Sequence, residues 1–302
     1  MNGVNESTVS EFVLLGLSNS QNLQVLLFVI FLIVYLLILS GNIVIVILIT
    51  IDRHLHSPMY FLLANLSFVD IWLSSVTTPK MVTDFLRENK TISFEGCMSQ
   101  VFFDHCIAAA EMVLLLVMAY DRYVAICKPL HYFTIMNLKR CTALVLISWT
   151  IGFVHALSQL VPVLQLPFCG PLEIDSFFCD MPLVIKLACT DSHDLDIMLT
   201  VGLLYLALLC CSYPTHISLS LFAGALRLGH LRPCPRALPT SLWCCCFCPA
   251  SSSMFGPSTS PGWTNFLLCF ILLLHLSIQP FIHEIKKKML RDLKAMLITR
   301  IL

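Results

Sequence analysis

Apolar residues in this chain run in blocks long enough to cross a lipid bilayer, separated by short polar connections. A helix needs roughly 20 apolar residues to span the hydrocarbon core. Six blocks meet that test. Residues 25–51 carry no charge, 59–79 carry only Asp70, and 101–120 carry Asp104 and Glu111. Blocks 143–163 and 197–217 have no Asp, Glu, Lys or Arg, and 266–282 is shorter but still apolar. These blocks predict an all-α membrane protein built as a helix bundle.

Charge decides the sidedness. Lys and Arg collect in cytosolic loops near the membrane. The head, 1–24, has neither, whereas 122–140 holds Arg122, Lys128, Lys139 and Arg140. The tail, 284–302, is basic, and the long connection 164–196 has one Lys and six acids. An outside head and a cytosolic tail require an odd number of crossings, so six clear blocks leave one missing. Its place is 237–255, which contains Pro239, Pro249 and four serines. Proline removes a helix hydrogen bond, although membrane helices tolerate it better than soluble ones. The expected organisation is an extracellular head over 1–24, a seven-helix domain over 25–283 and a basic tail over 284–302, with the sixth helix poorly specified.

Composition agrees with this reading. The chain of 302 residues is 58% hydrophobic and 12% charged, far below the roughly 25% charged content of soluble domains. Net charge is zero, which disfavours nucleic acid as a partner and leaves membrane lipid as the expected surroundings. The head lacks the basic, long-apolar pattern of a cleaved signal peptide, so the first span is expected to direct insertion. No catalytic set is visible, and no cofactor is implied. Cys244-Cys245-Cys246 and Cys248 invite a metal reading, but three adjacent cysteines cannot all face inward on one helix or strand. No histidine lies nearby to complete a zinc site.

Polar residues inside the spans are the candidate functional set. On span three, Asp104, Ala108, Glu111, Leu115, Met118 and Arg122 recur at helical spacing. Eighteen residues make five turns, so Asp104 and Arg122 share a face about 27 Å apart along the axis. Acids at mid-membrane are costly and belong in a bundle interior. Asp70 and Glu111 form the expected intramembrane polar core and could share a cation or proton. Asp104 and His105, nearer the outside, are expected to line a ligand cavity. At the inner end Asp121-Arg122-Tyr123 sets an arginine beside an acid that can neutralise it.

Four cysteines lie in polar connections: Cys97, Cys169, Cys179 and Cys189. They allow three pairings, and spacing alone does not choose among them. Asn5-Glu6-Ser7 is a glycosylation acceptor in the head. Asn65-Leu66-Ser67 also matches the acceptor pattern but falls inside span two.

Several segments resemble olfactory receptors, a branch of the rhodopsin-like G-protein-coupled receptors. They are Glu11-Phe12-Val13-Leu14-Leu15-Gly16-Leu17, Gly41-Asn42, Leu55-His56-Ser57-Pro58-Met59-Tyr60 and Leu66-Ser67-Phe68-Val69-Asp70. The run from Met118 to Cys127, Lys128-Pro129-Leu130-His131-Tyr132, and Ser212-Tyr213 complete the set. The resemblance implies binding of small volatile molecules within the bundle, in a pocket where Ala108 and Tyr205 join Asp104 and His105, and activation of a stimulatory heterotrimeric G protein through Asp121, Arg122 and Tyr123. It also implies bridges Cys97–Cys179 and Cys169–Cys189, no enzyme activity, and a multi-pass place in the cell membrane.

After Tyr213 the resemblance stops. The family's sixth span opens with a basic-Ala-x-Ser-Thr-Cys-x-Ser-His motif that this chain lacks, and eight of fifteen prolines fall within 214–280. Ile278-Gln279-Pro280-Phe281-Ile282-His283 only echoes the family's Pro-x-x-Asn-Pro-x-Ile-Tyr, and the basic tail then reads like the family again. A reading-frame shift over about 214–283 would produce this loss and recovery, the alternatives being ordinary divergence or a misassembled gene model. The expectation is a product impaired as a receptor and retained in the endoplasmic reticulum. The competing class is a small transporter or channel using the intramembrane acids.

Overall fold

The computed structural model describes residues 10–16, 21–87, 89–168 and 171–189. The chain divides into two compact units, and all described residues belong to the first, Met1–Cys248. The expected spans at 197–217, 237–255 and 266–282 lie outside the described residues, as do Asn5, Cys169 and Tyr205.

Four described helices are long and apolar enough to cross a membrane: α1 (Gln21–Ile51), α2 (Pro58–Asp84), α3 (Phe94–Cys127) and α5 (Leu138–Leu164). Between α3 and α5 lies the short α4 (Tyr132–Ile135), and α6 (Met181–Ile185) follows in the long connection. Each long helix overruns its apolar block. Helix α3 has 34 residues, about 51 Å at 1.5 Å each, which exceeds a hydrocarbon core of about 30 Å. Its charged ends, Glu95 and Asp121-Arg122, therefore belong to the helix although they lie outside the apolar window. Helix α2 likewise runs past Pro79 to Asp84, and the Thr83 hydroxyl donates to the Pro79 carbonyl.

Local chemistry sets the ends. Pro58 starts α2, where its missing N–H costs nothing. Ser93 caps α3 by accepting from the Gly96 N–H at 3.1 Å, and Asn137 caps α5 by accepting from Arg140 N–H at 2.9 Å.

Helix α3 is the centre of the described bundle. Half of its membrane window is buried, against 11% for α1. It packs on α2 and α5, while α2 also packs on α1. Helix α1 turns one stripe inward (Phe31, Ile38, Asn42, Ile45, Ile49) and leaves most of the rest exposed. Where α3 meets α5 the backbones nearly touch: a Cβ on Gly152 would stand 2.3 Å from the Cys106 carbonyl oxygen. Ala109, Ala110 and Ala156 are buried around that contact, the small residues that let membrane helices approach.

The end of the bundle nearest the head carries a small sheet, a departure from the all-α expectation. Strand β1 (Glu11–Leu14) lies between β2 (Thr91–Ser93) and β3 (Glu173–Ile174). It pairs antiparallel with β2, setting Phe12 opposite Ile92, and parallel with β3, setting Leu14 opposite Ile174. The alternation in Glu11-Phe12-Val13-Leu14 is a period-two strand signal, with Phe12 and Leu14 buried. They join Cys97, Val101, Ile174, Cys179 and Val184 in an outer core, distinct from an inner one built on Leu62, Leu66, Leu114 and Val145.

Candidate functional site

The site has two ends joined by α3. At the amino-terminal end of α3, Cys97 is bonded to Cys179, with Cα atoms 5.4 Å apart. This draws the long connection onto the bundle. Gln100, one turn further along α3, reinforces it by accepting from the Cys179 N–H at 3.1 Å. Cys189 is also in a disulfide, and its expected partner, Cys169, lies outside the described residues. The next lid residue, Asp180, is half-buried, and burial pushes its carboxyl up to about 7. The charge of Asp104 raises it further, whereas Lys186 and a backbone hydrogen bond at Met181 act the other way.

Below the lid, α3 presents the expected polar series. Asp104 and Ala108 are half-buried, and Glu111 is 2% exposed. Asp70 on α2 and Asp104 lie near enough to Glu111 for their charges to act on it, so the three acids share one electrostatic field. His105 is oriented differently. Its ring stacks on His155 of α5, centroids 6.4 Å apart and planes at 22°, and its Nδ1 lies 3.0 Å from the Val101 carbonyl. Consecutive helix residues differ by about 100° in direction, which accounts for this divergence from Asp104. Among the described residues no group of three or more His, Cys, Asp or Glu could hold a metal ion.

At the carboxyl-terminal end of α3, Asp121 is buried and Arg122 half-buried. The hydrogen bond to the Asp121 carboxylate comes from elsewhere than the neighbouring arginine: the Tyr132 hydroxyl donates to Oδ1 at 2.8 Å. Tyr132 starts α4, so this bond ties the loop after α3 to the helix end. Burial and the carboxylate together raise the Tyr132 phenol above its ordinary value. The outer faces of α4 and the preceding turn are apolar and open, with Leu130 93% and Phe133 75% exposed.

Cys97, Cys179, Asp104, Glu111, Asp121 and Arg122 carry a signal in the sequence, whereas Gln100, Tyr132, Phe12 and Asp180 have no role that the sequence assigns. Gln100 had a weak signal, three residues beyond a lid cysteine on the same helix. Tyr132 had none in spacing, because its partner is reached only after the loop turns back. Asn65, in the second acceptor pattern, lies within α2, where its side chain donates to the Phe61 carbonyl at 2.8 Å.

A family model described as olfactory receptor matches residues 31–300. Human olfactory receptor 4K3 is 58% identical over 206 residues, 68% of this chain and 65% of its own length. Human olfactory receptor 4K15 is 57% identical over 208 residues, 69% of this chain and 64% of its own. Human olfactory receptor 4K1 is 60% identical over 194 residues, 64% of this chain and 62% of its own. The chain belongs to the olfactory receptor family. Its fold class is therefore the seven-helix receptor bundle, a multi-pass membrane architecture and not an enzyme. The matched part spans a little under two thirds of the length of these three relatives.

Proposed function

We propose that the chain descends from odorant receptors that bind a small volatile molecule in the bundle, beneath the lid, and activate a stimulatory G protein. The observation that carries this is α3 itself. One continuous helix sets Asp104 under a disulfide-held lid and Arg122 at the opposite end, about 27 Å away. Asp104, His105, Ala108 and Tyr205 line the cavity in this reading, and His105 also stacks on His155 of α5. Asp70 and Glu111 form the polar core through which the arrangement of the inner helix ends is sensed. The ligand acts by binding one arrangement of those ends more tightly than the other. Asp121, Arg122 and Tyr123 then meet the G protein, with exposed Leu130 and Phe133 offering it an apolar contact.

The head, carrying a glycan at Asn5, faces outside and the basic tail faces the cytosol. Membrane lipid covers the apolar outer faces of α1 and α5. The relatives bear receptor names, and nothing among them supports the transporter or channel alternative.

The segment 214–283 is translated in a shifted frame in this reading, leaving the sixth helix incomplete and the product largely retained in the endoplasmic reticulum. Genomic DNA across codons 210–290 tests this. The neighbouring frame should encode the missing Ser-Thr-Cys and Asn-Pro-x-Ile-Tyr motifs, and their absence there removes the frameshift. The receptor role is tested by a panel of volatiles on cells expressing a responsive form. Arg122→Ala should abolish the cyclic AMP response and leave the surface amount unchanged; a normal response from Arg122→Ala removes the role assigned to Arg122.

A further inference from the structure

We propose that the amino-terminal head is the latch of the extracellular lid, with Phe12 as the positioning residue that holds the long connection over the mouth of the bundle. Phe12 is fully buried, and its ring meets two others that belong to different segments. Its centroid is 5.9 Å from Phe94, at the start of α3, and 5.9 Å from Phe168, in the long connection. Phe94 and Phe168 are themselves 5.9 Å apart, so three rings from three parts of the chain close on one another. Edge-on and tilted contacts at this distance add to the apolar burial of each ring.

The backbone repeats the arrangement. On the lid side, the N–H groups of Val13, Leu15 and Gly16 donate to the carbonyls of Leu172, Ile174 and Ser176 at 2.8, 2.9 and 3.3 Å. On the other side, Leu14 donates to Lys90 at 2.8 Å and Phe94 donates to Ser10 at 3.0 Å. The head is thus the central strand, and β2 and β3, three and two residues long, each hydrogen-bond to it rather than to one another in the sheet. Strands that short do not stand alone in water. Gly16 ends the strand at φ +70°, a left-handed conformation glycine adopts without strain, and a Cβ there would meet the Lys90 ammonium at 3.1 Å.

The disulfide and the head divide the work. Cys97–Cys179 fixes one point of the lid, while the part around Leu172, Ile174 and Ser176 is bonded to the head. Removing the latch frees that part and leaves the bridge intact. That a ligand cavity lies beneath rests on the receptor reading; the mechanical claim does not.

Hydrogen–deuterium exchange on the full chain in microsomal membranes tests the latch without a ligand or export to the surface. Phe12→Ala should raise exchange in 171–180 at least tenfold and leave α2 within twofold of the parent. Phe12→Leu, which keeps apolar bulk but loses the ring contacts, should give a smaller rise and serves if the alanine variant is not recovered. Val13→Ala, on the outward side of the same strand, should leave the lid unchanged. Lid exchange within twofold of the parent in the Phe12 variants would overturn the proposal, showing that the head merely rests on a self-supporting lid. Because no odorant enters the experiment, the latch can fail while the receptor reading stands, and the reverse.

Discussion

The Tyr132 hydroxyl donates to the Asp121 carboxylate at 2.8 Å, joining the loop after α3 to the acid beside Arg122. A buried carboxylate oxygen that loses its donor suffers the desolvation cost of an unpaired group, about 1–3 kcal/mol. Tyr132→Phe keeps the ring and removes the donor. It should lower the thermal stability of the inner end by that amount in a detergent-solubilised melt. In a responsive form it should also raise ligand-independent cyclic AMP, because the loop no longer holds Asp121 in one arrangement.

Gly152 permits a close approach of α5 to the α3 backbone. With a Cβ only 2.3 Å from the Cys106 backbone oxygen and 3.0 Å from Ala110, Gly152→Ala cannot be absorbed by a side-chain rotation. Helix α5 must move off α3, and overpacking of this kind typically costs about 1–3 kcal/mol. The expected result is a lower melting temperature and a smaller monodisperse fraction on size exclusion. A variant as stable as the parent would show that the two helices are less closely set than described.

Cys97→Ser removes the bridge that closes a loop with a sequence separation of 82. Native bridges of this span contribute about 2–5 kcal/mol. The variant should melt earlier and expose Cys179 to a maleimide that does not label the parent, whereas α1 and α2 should keep their exchange protection.

Asp180 gives the lid a pH dependence. Its carboxyl sits at about 7, raised first by burial and then by Asp104, against the ordinary 3.8 of the unfolded chain. The folded lid therefore binds the proton more tightly than the unfolded one. This contribution to stability is complete below about pH 4 and is lost as pH rises through about 7. Thermal melts at about pH 5 and about pH 8 should show the lid less stable at the higher value. Asp180→Asn should reduce the difference, and an unchanged slope would remove Asp180 as a source of it.

How much was legible follows from which signals are local. Spans one to four were readable because uncharged runs such as 25–51 can be satisfied only in lipid, and the polar stripe from Asp104 to Arg122 was readable from helical period alone. The ends were not, since Glu95 and Asp121 sit on a helix that continues past its apolar window. The head sheet was missed for another reason. A four-residue alternation at Glu11–Leu14 is a weak signal until partners 80 and 160 residues away supply its two edges. His105 looked like Asp104 in sequence and differs because one helical step turns it towards His155.

The central claim is that this chain carries a receptor's ligand end and coupling end on one helix, joined to a defective later segment. It is tested most directly by replacing residues 214–302 with the corresponding part of human olfactory receptor 4K3 and measuring cyclic AMP against a panel of volatiles. The predicted result is a response in the chimera that Arg122→Ala abolishes, with little or none from the parent. A parent that responds as strongly as the chimera, or a chimera response that survives Arg122→Ala, would contradict the account.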